Sequence, residues 1–111
     1  MKFLMNLSPQ PFEAIASGNK SVEMRLNDER RANLKVGDEI EFENIDTHGK
    51  IMCKVVSLSR FKDFFELYSH FDKVALGYHG NETASAEDMY QYYSREQIAQ
   101  YGVLAIGIKL M

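Results

Sequence analysis

The sequence predicts an α+β fold, a small and mostly antiparallel β-barrel with short helices inserted between its strands. Two observations support this prediction. Five short segments carry either the alternation of apolar and polar residues or the continuous apolar run that β-strands require. Turn-forming residues separate these segments, and the helical patterns between them are short. A small sheet of this kind avoids exposed edges by curling into a barrel.

The N-terminal part of the chain alternates strand and helix. KFLMNL, at 2–7, is typical of a short strand. Ser8 is an expected helix N-cap, and the two prolines that follow fit a first helical turn, so we expect a helix that ends at Gly18. A second strand follows at 21–26, because every second residue from Val22 is apolar.

The central segment predicts a hairpin. EIEFEN, at 39–44, alternates apolar residues with glutamates and suits a strand with one buried face. DTHGK is the expected turn, with Gly49 supplying a position of positive φ. IMCKVVSLSRF, at 51–61, is apolar at almost every position, so we expect a strand that is covered on both faces.

The C-terminal half predicts helices and a closing strand. Aromatic residues at 64, 65, 68 and 71 have the spacing of a buried helical face. We expect an ordered loop over 74–86, followed by one or two short helices with Ser85 and Ser94 as N-caps. Gln97 stands in the capping-box position after Ser94. VLAIGIKL, at 103–110, alternates as a final strand does.

Length and composition set limits on the function. The 111 residues, of which 45% are hydrophobic, suffice for one compact domain over 1–111 and are too few for two. The formal net charge is −3 and the isoelectric point is about 5.6. Bulk phosphate binding needs many Lys and Arg residues, so any contact with nucleic acid is expected at a local, weak site.

The single cysteine, Cys53, cannot form an internal disulfide, and no Cys/His cluster has the spacing of a zinc site. We therefore expect no metal and no cofactor. The N-terminus lacks the features of a secretory signal, and no apolar run is long enough to span a bilayer. We expect a cytoplasmic protein that makes no contact with membranes.

The strand at 21–26 carries the leading candidate site. Residues two apart on a strand share a face, so Glu23 and Arg25 lie side by side, and the long side chain of Lys20 can swing over the strand edge. Together they suit the edge of a polar base, a phosphate or a carboxylate. The alternative is a solvated face with an ion pair that contributes roughly 0.2–1 kcal/mol. The pattern alone favours the solvated face.

Tyrosines form a second candidate group near Ser94. Tyr90, Tyr92 and Tyr93 could stack on a base, an interaction that contributes roughly 1–3 kcal/mol per base. The alternative is that Tyr90 and Tyr93 pack against a short helix, which we expect of at least one of them. The three histidines have no partner at metal-ligand spacing and are expected on the surface or in loops.

A family resemblance rests on G-x-K-x-x-E-x-R at 18–25, V-G-D at 36–38, and the closing YYSREQIAQYGVLAIGIKL. Their order and spacing along nearly the whole chain closely resemble the ASCH domain, named after activating signal cointegrator-1 homology. The resemblance implies a PUA-like β-barrel with a polar cleft that binds RNA, a nucleotide or a nucleoside, in connection with translation or RNA processing. It places Lys20, Glu23 and Arg25 on the cleft wall, and a tyrosine such as Tyr93 could stack there.

The same resemblance raises an enzymatic alternative. Some relatives are amidohydrolases of N4-acetylcytidine that are proposed to use a lysine and a threonine three residues later, and others are described as ribonucleases. Lys20 matches the lysine, whereas Glu23 occupies the threonine position and Ser21 has a different spacing. If the chain is an enzyme, Lys20 would activate Ser21 or water, and Glu23 would be the general acid or base.

Overall fold

The alternating segments form one five-stranded sheet, which a computed structural model describes together with the rest of residues 1–111. All five strands were predicted to within one residue at either end. They are β1 (Lys2–Leu7), β2 (Val22–Leu26), β3 (Glu39–Asn44), β4 (Lys50–Phe61) and β5 (Val103–Leu110).

The strand order is β1-β3-β4-β5-β2. The β1–β3 pair is parallel, and the other three pairs are antiparallel. The register of β4 against β5 shifts between Val55 and Ser57, and an irregularity of this kind bends a strand. The fold is therefore α+β with a mostly antiparallel sheet, as predicted.

Short helices connect the strands. They are α1 (Pro9–Ala16), α2 (Phe64–Tyr68), a 3₁₀ helix (Ala86–Gln91) and α3 (Arg95–Tyr101). The predicted capping box is present at α3, where Ser94 accepts from the backbone of Gln97 and the Gln97 side chain accepts in return. Ser8 caps α1 by position only, because Pro11 at the third helical position has no N–H to donate. None of the helices has the length and apolarity of a bilayer-spanning segment.

Two hydrophobic clusters pack on the two sides of β5. Leu104, Ile106 and Ile108 belong to one cluster, and Val103 and Ala105 belong to the other. The prediction that β4 is covered on both faces was wrong, since Lys54 and Val56 are exposed. It is β5 that is buried on both faces, because it lies between the α1 side and the α2–α3 side of the molecule.

Two local expectations differ from the structure. The positive φ in the β3–β4 turn belongs to His48, with φ 64°, and Gly49 has an ordinary conformation. The aromatic segment forms a helix of only five residues, so Phe64 is buried while its neighbour Phe65 is 51% exposed. The expected loop is present, since residues 74–85 contain neither helix nor strand.

The sheet curls so that its two edge strands meet. In a flat five-stranded sheet the outer strands would lie about 19 Å apart. Here Arg25 Nη2 on β2 donates to the backbone carbonyl of Asn6 on β1 at 2.9 Å. No β1–β2 ladder forms, so the sheet is a half-barrel with an opening between these strands. We call this opening the seam, bounded by Asn6 and Leu7 on β1 and by Glu23–Arg25 on β2.

Candidate ligand-binding cleft

A cleft of about 470 Å³ lies at the seam. Residues of both edge strands line it, together with residues of α2, of the 69–85 loop and of the 3₁₀ helix. Its volume falls within the range of roughly 300–1,000 Å³ that is typical of small-molecule sites. The seam thus provides a concave site whose walls come from distant parts of the chain.

The Glu23 carboxylate is the centre of the charged wall. Its Oε1 accepts from the backbone N–H of Met24 at 3.0 Å and contacts Lys20 Nζ at 3.1 Å. Its Oε2 accepts from Arg25 Nε at 2.9 Å and lies 2.8 Å from Arg25 Nη2 in an ion pair. The exposed fractions of the Lys20, Glu23 and Arg25 side chains are 7%, 5% and 13%. The charged face is therefore a buried network and not a solvated surface.

The network shifts the pKa values of its members. Burial acts to raise the pKa of Glu23, but Lys20 and Arg25 outweigh it and lower that pKa to about 2. Burial acts in the opposite direction on Arg25, and the Glu23 carboxylate outweighs it, so the pKa of Arg25 lies above its usual value. Glu23 stays ionised, which makes it a weak base at neutral pH.

The 69–85 loop holds Lys20 in place. The carbonyl of Ala75 accepts from the backbone N–H groups of Ser21 and Val22, at 3.0 Å each, and so ties the loop to the start of β2. Gly77, with φ 109°, lies against the Lys20 side chain, and a Cβ atom at this position would stand 2.9 Å from Lys20 Cδ. The loop backbone can approach Lys20 this closely only because residue 77 has no side chain.

Donor groups remain free on the charged wall. Lys20 has three N–H donors, and the Glu23 carboxylate is the one group it pairs with. The Arg25 Nη1 group bonds neither Glu23 nor the Asn6 carbonyl, and Tyr93 is the other side chain that interacts with this guanidinium. Both oxygens of Glu23 are engaged, by hydrogen bonds from the Met24 N–H and Arg25 Nε and by ion pairs with Lys20 Nζ and Arg25 Nη2. This wall therefore presents mainly donors to a ligand.

A second polar group lines the cleft and was not predicted from the sequence. Tyr78 Oη lies 2.9 Å from Tyr68 Oη, 2.7 Å from Asp88 Oδ2 and 3.2 Å from the carbonyl of Ser85. The three side chains come from α2, the loop and the 3₁₀ helix. Periodicity placed Tyr68 on a buried helical face, and no motif in the sequence links residues ten positions apart in this way.

The structure brings together four of the five predicted site residues. Lys20, Glu23, Arg25 and Tyr93 all line the cleft. Ser21 does not, because it is exposed and lines a smaller cavity of about 240 Å³ together with Cys53. Burial raises the pKa of the Cys53 thiol to about 11. No group of three or more His, Cys, Asp or Glu side chains is arranged to hold a metal ion.

Of the three predicted tyrosines, two are partly buried and one is exposed at the cleft. Tyr93 is partly buried, and its ring stacks on Phe64 with centroids 6.0 Å apart. Tyr90 is also partly buried, and the guanidinium of Arg95 lies 4.3 Å from its ring centroid. Tyr92 lines the cleft with 56% of its surface exposed. Tyr92 is thus the most accessible aromatic ring for stacking at the cleft.

Comparisons with known proteins agree with this architecture. The family model of the ASCH domain matches residues 5–111. The crystal structure of the hypothetical protein PH0355 is 30% identical, with a TM-score of 0.84 and full coverage of both chains. The solution structure of protein PF0455 from Pyrococcus furiosus is 27% identical, with a TM-score of 0.77, over 100% of this chain and 98% of that one.

The ASCH domain from Lactobacillus crispatus shares the fold at 14% identity. Its TM-score is 0.66, and the match covers 98% of this chain and 79% of that chain. No protein with curated annotation matches the sequence.

Proposed function

The chain belongs to the ASCH domain family, and from this premise we propose that it acts as a single domain that binds RNA, a nucleotide or a nucleoside in the seam cleft. Lys20 and Arg25 contact acceptor atoms of the ligand. An aromatic ring at the cleft, Tyr92 or Tyr93, stacks on a base. The acidic net charge favours a short or small ligand over a long phosphate backbone.

One observation supports this proposal above the others. Two buried cations stand beside a carboxylate whose two oxygens are both engaged, and Lys20 keeps N–H donors beyond its pairing with Glu23. Burying charged groups is unfavourable unless they are paired, so fixed donors at a cleft are typical of sites that bind a ligand. Glu23 orders the two donors and neutralises one of their two positive charges.

The geometry favours binding over hydrolysis. Glu23 has a pKa of about 2, and both of its oxygens are engaged by Lys20, Met24 and Arg25, so it is a poor general base. Ser21, the hydroxyl considered as a nucleophile, lines the smaller cavity, which Lys20 also borders, and not the seam cleft. A hydrolase acting in the seam cleft would have to rely on Lys20 and water without Glu23 or Ser21.

The test is the affinity of the full chain for short single-stranded RNA and for nucleosides, measured by fluorescence anisotropy and by titration of amide NMR signals. Lys20→Met keeps the aliphatic stem against Gly77 and removes the donors. Because a hydrogen bond to a charged group contributes about 1.5–3 kcal/mol, we expect affinity to fall by about tenfold or more.

Lys54→Met is the matched control, since Lys54 is exposed on β4 and lines neither cavity. Equal affinity of the two variants and the wild type would contradict the proposal. Release of cytidine from N4-acetylcytidine by the wild type, lost in Lys20→Met, would establish the hydrolase instead.

A further inference from the structure

The hydrogen-bond chain of Tyr68, Tyr78 and Asp88 has a direction. Tyr78 has one hydroxyl proton and lies within hydrogen-bond distance of three oxygens. The Asp88 carboxylate is the closest, at 2.7 Å, and an ionised carboxylate only accepts. Tyr78 therefore donates to Asp88, and Tyr68 donates to Tyr78.

This order leaves acceptors facing the cleft. Asp88 Oδ1 has no partner in the protein, and the Tyr68 oxygen keeps its lone pairs after giving its proton to Tyr78. Burial raises the pKa of both tyrosines, so their hydroxyl groups stay protonated and the order persists across the physiological range. Glu82, another carboxylate at the cleft, accepts from the backbone N–H of His79 at 2.6 Å through Oε1 and likewise keeps one oxygen without a protein partner, but Asp88 is the carboxylate that the tyrosine hydroxyl orients.

The cleft thus offers donors on Lys20 and Arg25 and a free acceptor on Asp88. An inorganic phosphate dianion has a single O–H donor and two negative charges, and it would leave Asp88 facing a like charge. We infer that Asp88, oriented by Tyr78, accepts from a donor of the ligand, so that the cleft selects a nucleobase carrying an exocyclic amine beside an acceptor. This inference rests on the proposed function, and it assigns the amine acceptor to Asp88 and not to Glu23, whose oxygens are engaged by Lys20, Met24 and Arg25.

The experiment compares two ligand pairs in which an amine is replaced by a carbonyl, cytidine with uridine and adenosine with inosine. Each is titrated into the full chain and followed by amide NMR signals. We expect the amine member of each pair to bind about tenfold more tightly, as for a hydrogen bond to a charged group. Asp88→Ala should abolish the preference, and Tyr78→Phe should reduce it by loosening Asp88.

Glu87→Ala is the matched control, because Glu87 is an exposed acid on the same 3₁₀ helix and does not line the cleft. It removes the same charge and should keep the preference. Nucleoside binding without a preference for amines, or a preference that survives in both Asp88→Ala and Tyr78→Phe, would overturn the inference and leave the proposed function intact. Absence of binding by every nucleoside and RNA would overturn both.

Discussion

Glu23 is the residue that organises the charged wall of the cleft. Its carboxylate receives N–H groups from Lys20, Met24 and Arg25, and both of its oxygens are occupied. A buried ion pair often stabilises a fold no more than well-packed apolar residues of the same volume would. Removing one member of the pair is nevertheless strongly destabilising, because it leaves an uncompensated buried charge. Glu23 is therefore the member whose loss should disturb the fold most.

We expect Glu23→Gln to lower the free energy of unfolding by about 3–5 kcal/mol, because the new amide NH₂ would face Lys20 or Arg25, which are themselves donors. Urea denaturation measures the change. Glu13→Gln is the matched control, since Glu13 is exposed on α1, and such surface changes usually stay within roughly 0.5 kcal/mol. Similar losses in the two variants would contradict the importance of the network.

The effect of Glu23→Gln on the free energy of unfolding should depend on pH. The pKa of Glu23 lies at about 2 in the folded protein, below its ordinary value of 4.5. Its contribution is therefore complete above pH 4.5 and is lost as the pH falls towards 2. The difference in unfolding free energy between wild type and Glu23→Gln should shrink across this window, which urea denaturation at pH 6, 4 and 3 measures. A difference that is constant with pH would contradict the pKa shift.

At the residue scale, the sequence predicted which charges belong together but not their burial. Alternation placed Glu23 and Arg25 on one face, yet it could not reveal that the loop and β1 cover that face. Tyr68, Tyr78 and Asp88 were not predicted, because the loop that brings them together has no periodicity to interpret.

Among the elements, the 69–85 loop has the largest effect on the cleft. Gly77 combines a positive φ with close approach to Lys20, so Gly77→Ala should cost roughly 1–3 kcal/mol and weaken ligand binding by displacing Lys20. Gly80→Ala, in the same loop, should change neither property, because no atom lies within 4 Å of a Cβ there. Thermal unfolding and the RNA titration measure both. Equal behaviour of the two variants would contradict this role of Gly77.

Element types were predictable where a strong local signal exists. The capping box at Ser94 and the alternation in the strands each indicated one outcome, and both are present. Burial of β4 on both faces was predicted from the apolar composition of the strand alone. This prediction was wrong, because the elements that pack on the sheet decide which strand is covered. The shortness of α2 was likewise invisible in the spacing of the aromatic residues.

For the whole molecule, the decisive feature is that the barrel stays open. The alternation of apolar and polar residues predicts which side chains share a face of a strand. It does not predict the order of the strands in the sheet or whether the two edge strands pair with each other. Curling was expected from the need to protect edges, whereas the seam follows from the order β1-β3-β4-β5-β2 and the side-chain bridge from Arg25 to Asn6.

Arg25→Lys tests this bridge. A lysine keeps the charge, but its ammonium cannot reproduce the fixed geometry in which the guanidinium donates to the Asn6 carbonyl and to Glu23 Oε2 at the same time. We expect faster hydrogen exchange of amides in β1 and β2, with little change in β4. Arg60→Lys is the control, since Arg60 is exposed and makes one long bond, 3.4 Å, to Ala32. Unchanged exchange at the seam would contradict the role of Arg25.

The seam also has a consequence for how copies of this chain behave towards one another. The outer edges of β1 and β2 carry backbone groups that no strand pairs, and such edges are templates for intermolecular sheet formation. Arg25 occupies the Asn6 carbonyl, and Glu23 occupies the Met24 N–H. The side chains that we propose prepare the cleft for its ligand therefore also engage, on each of the two edge strands, a backbone group that a sixth strand would need.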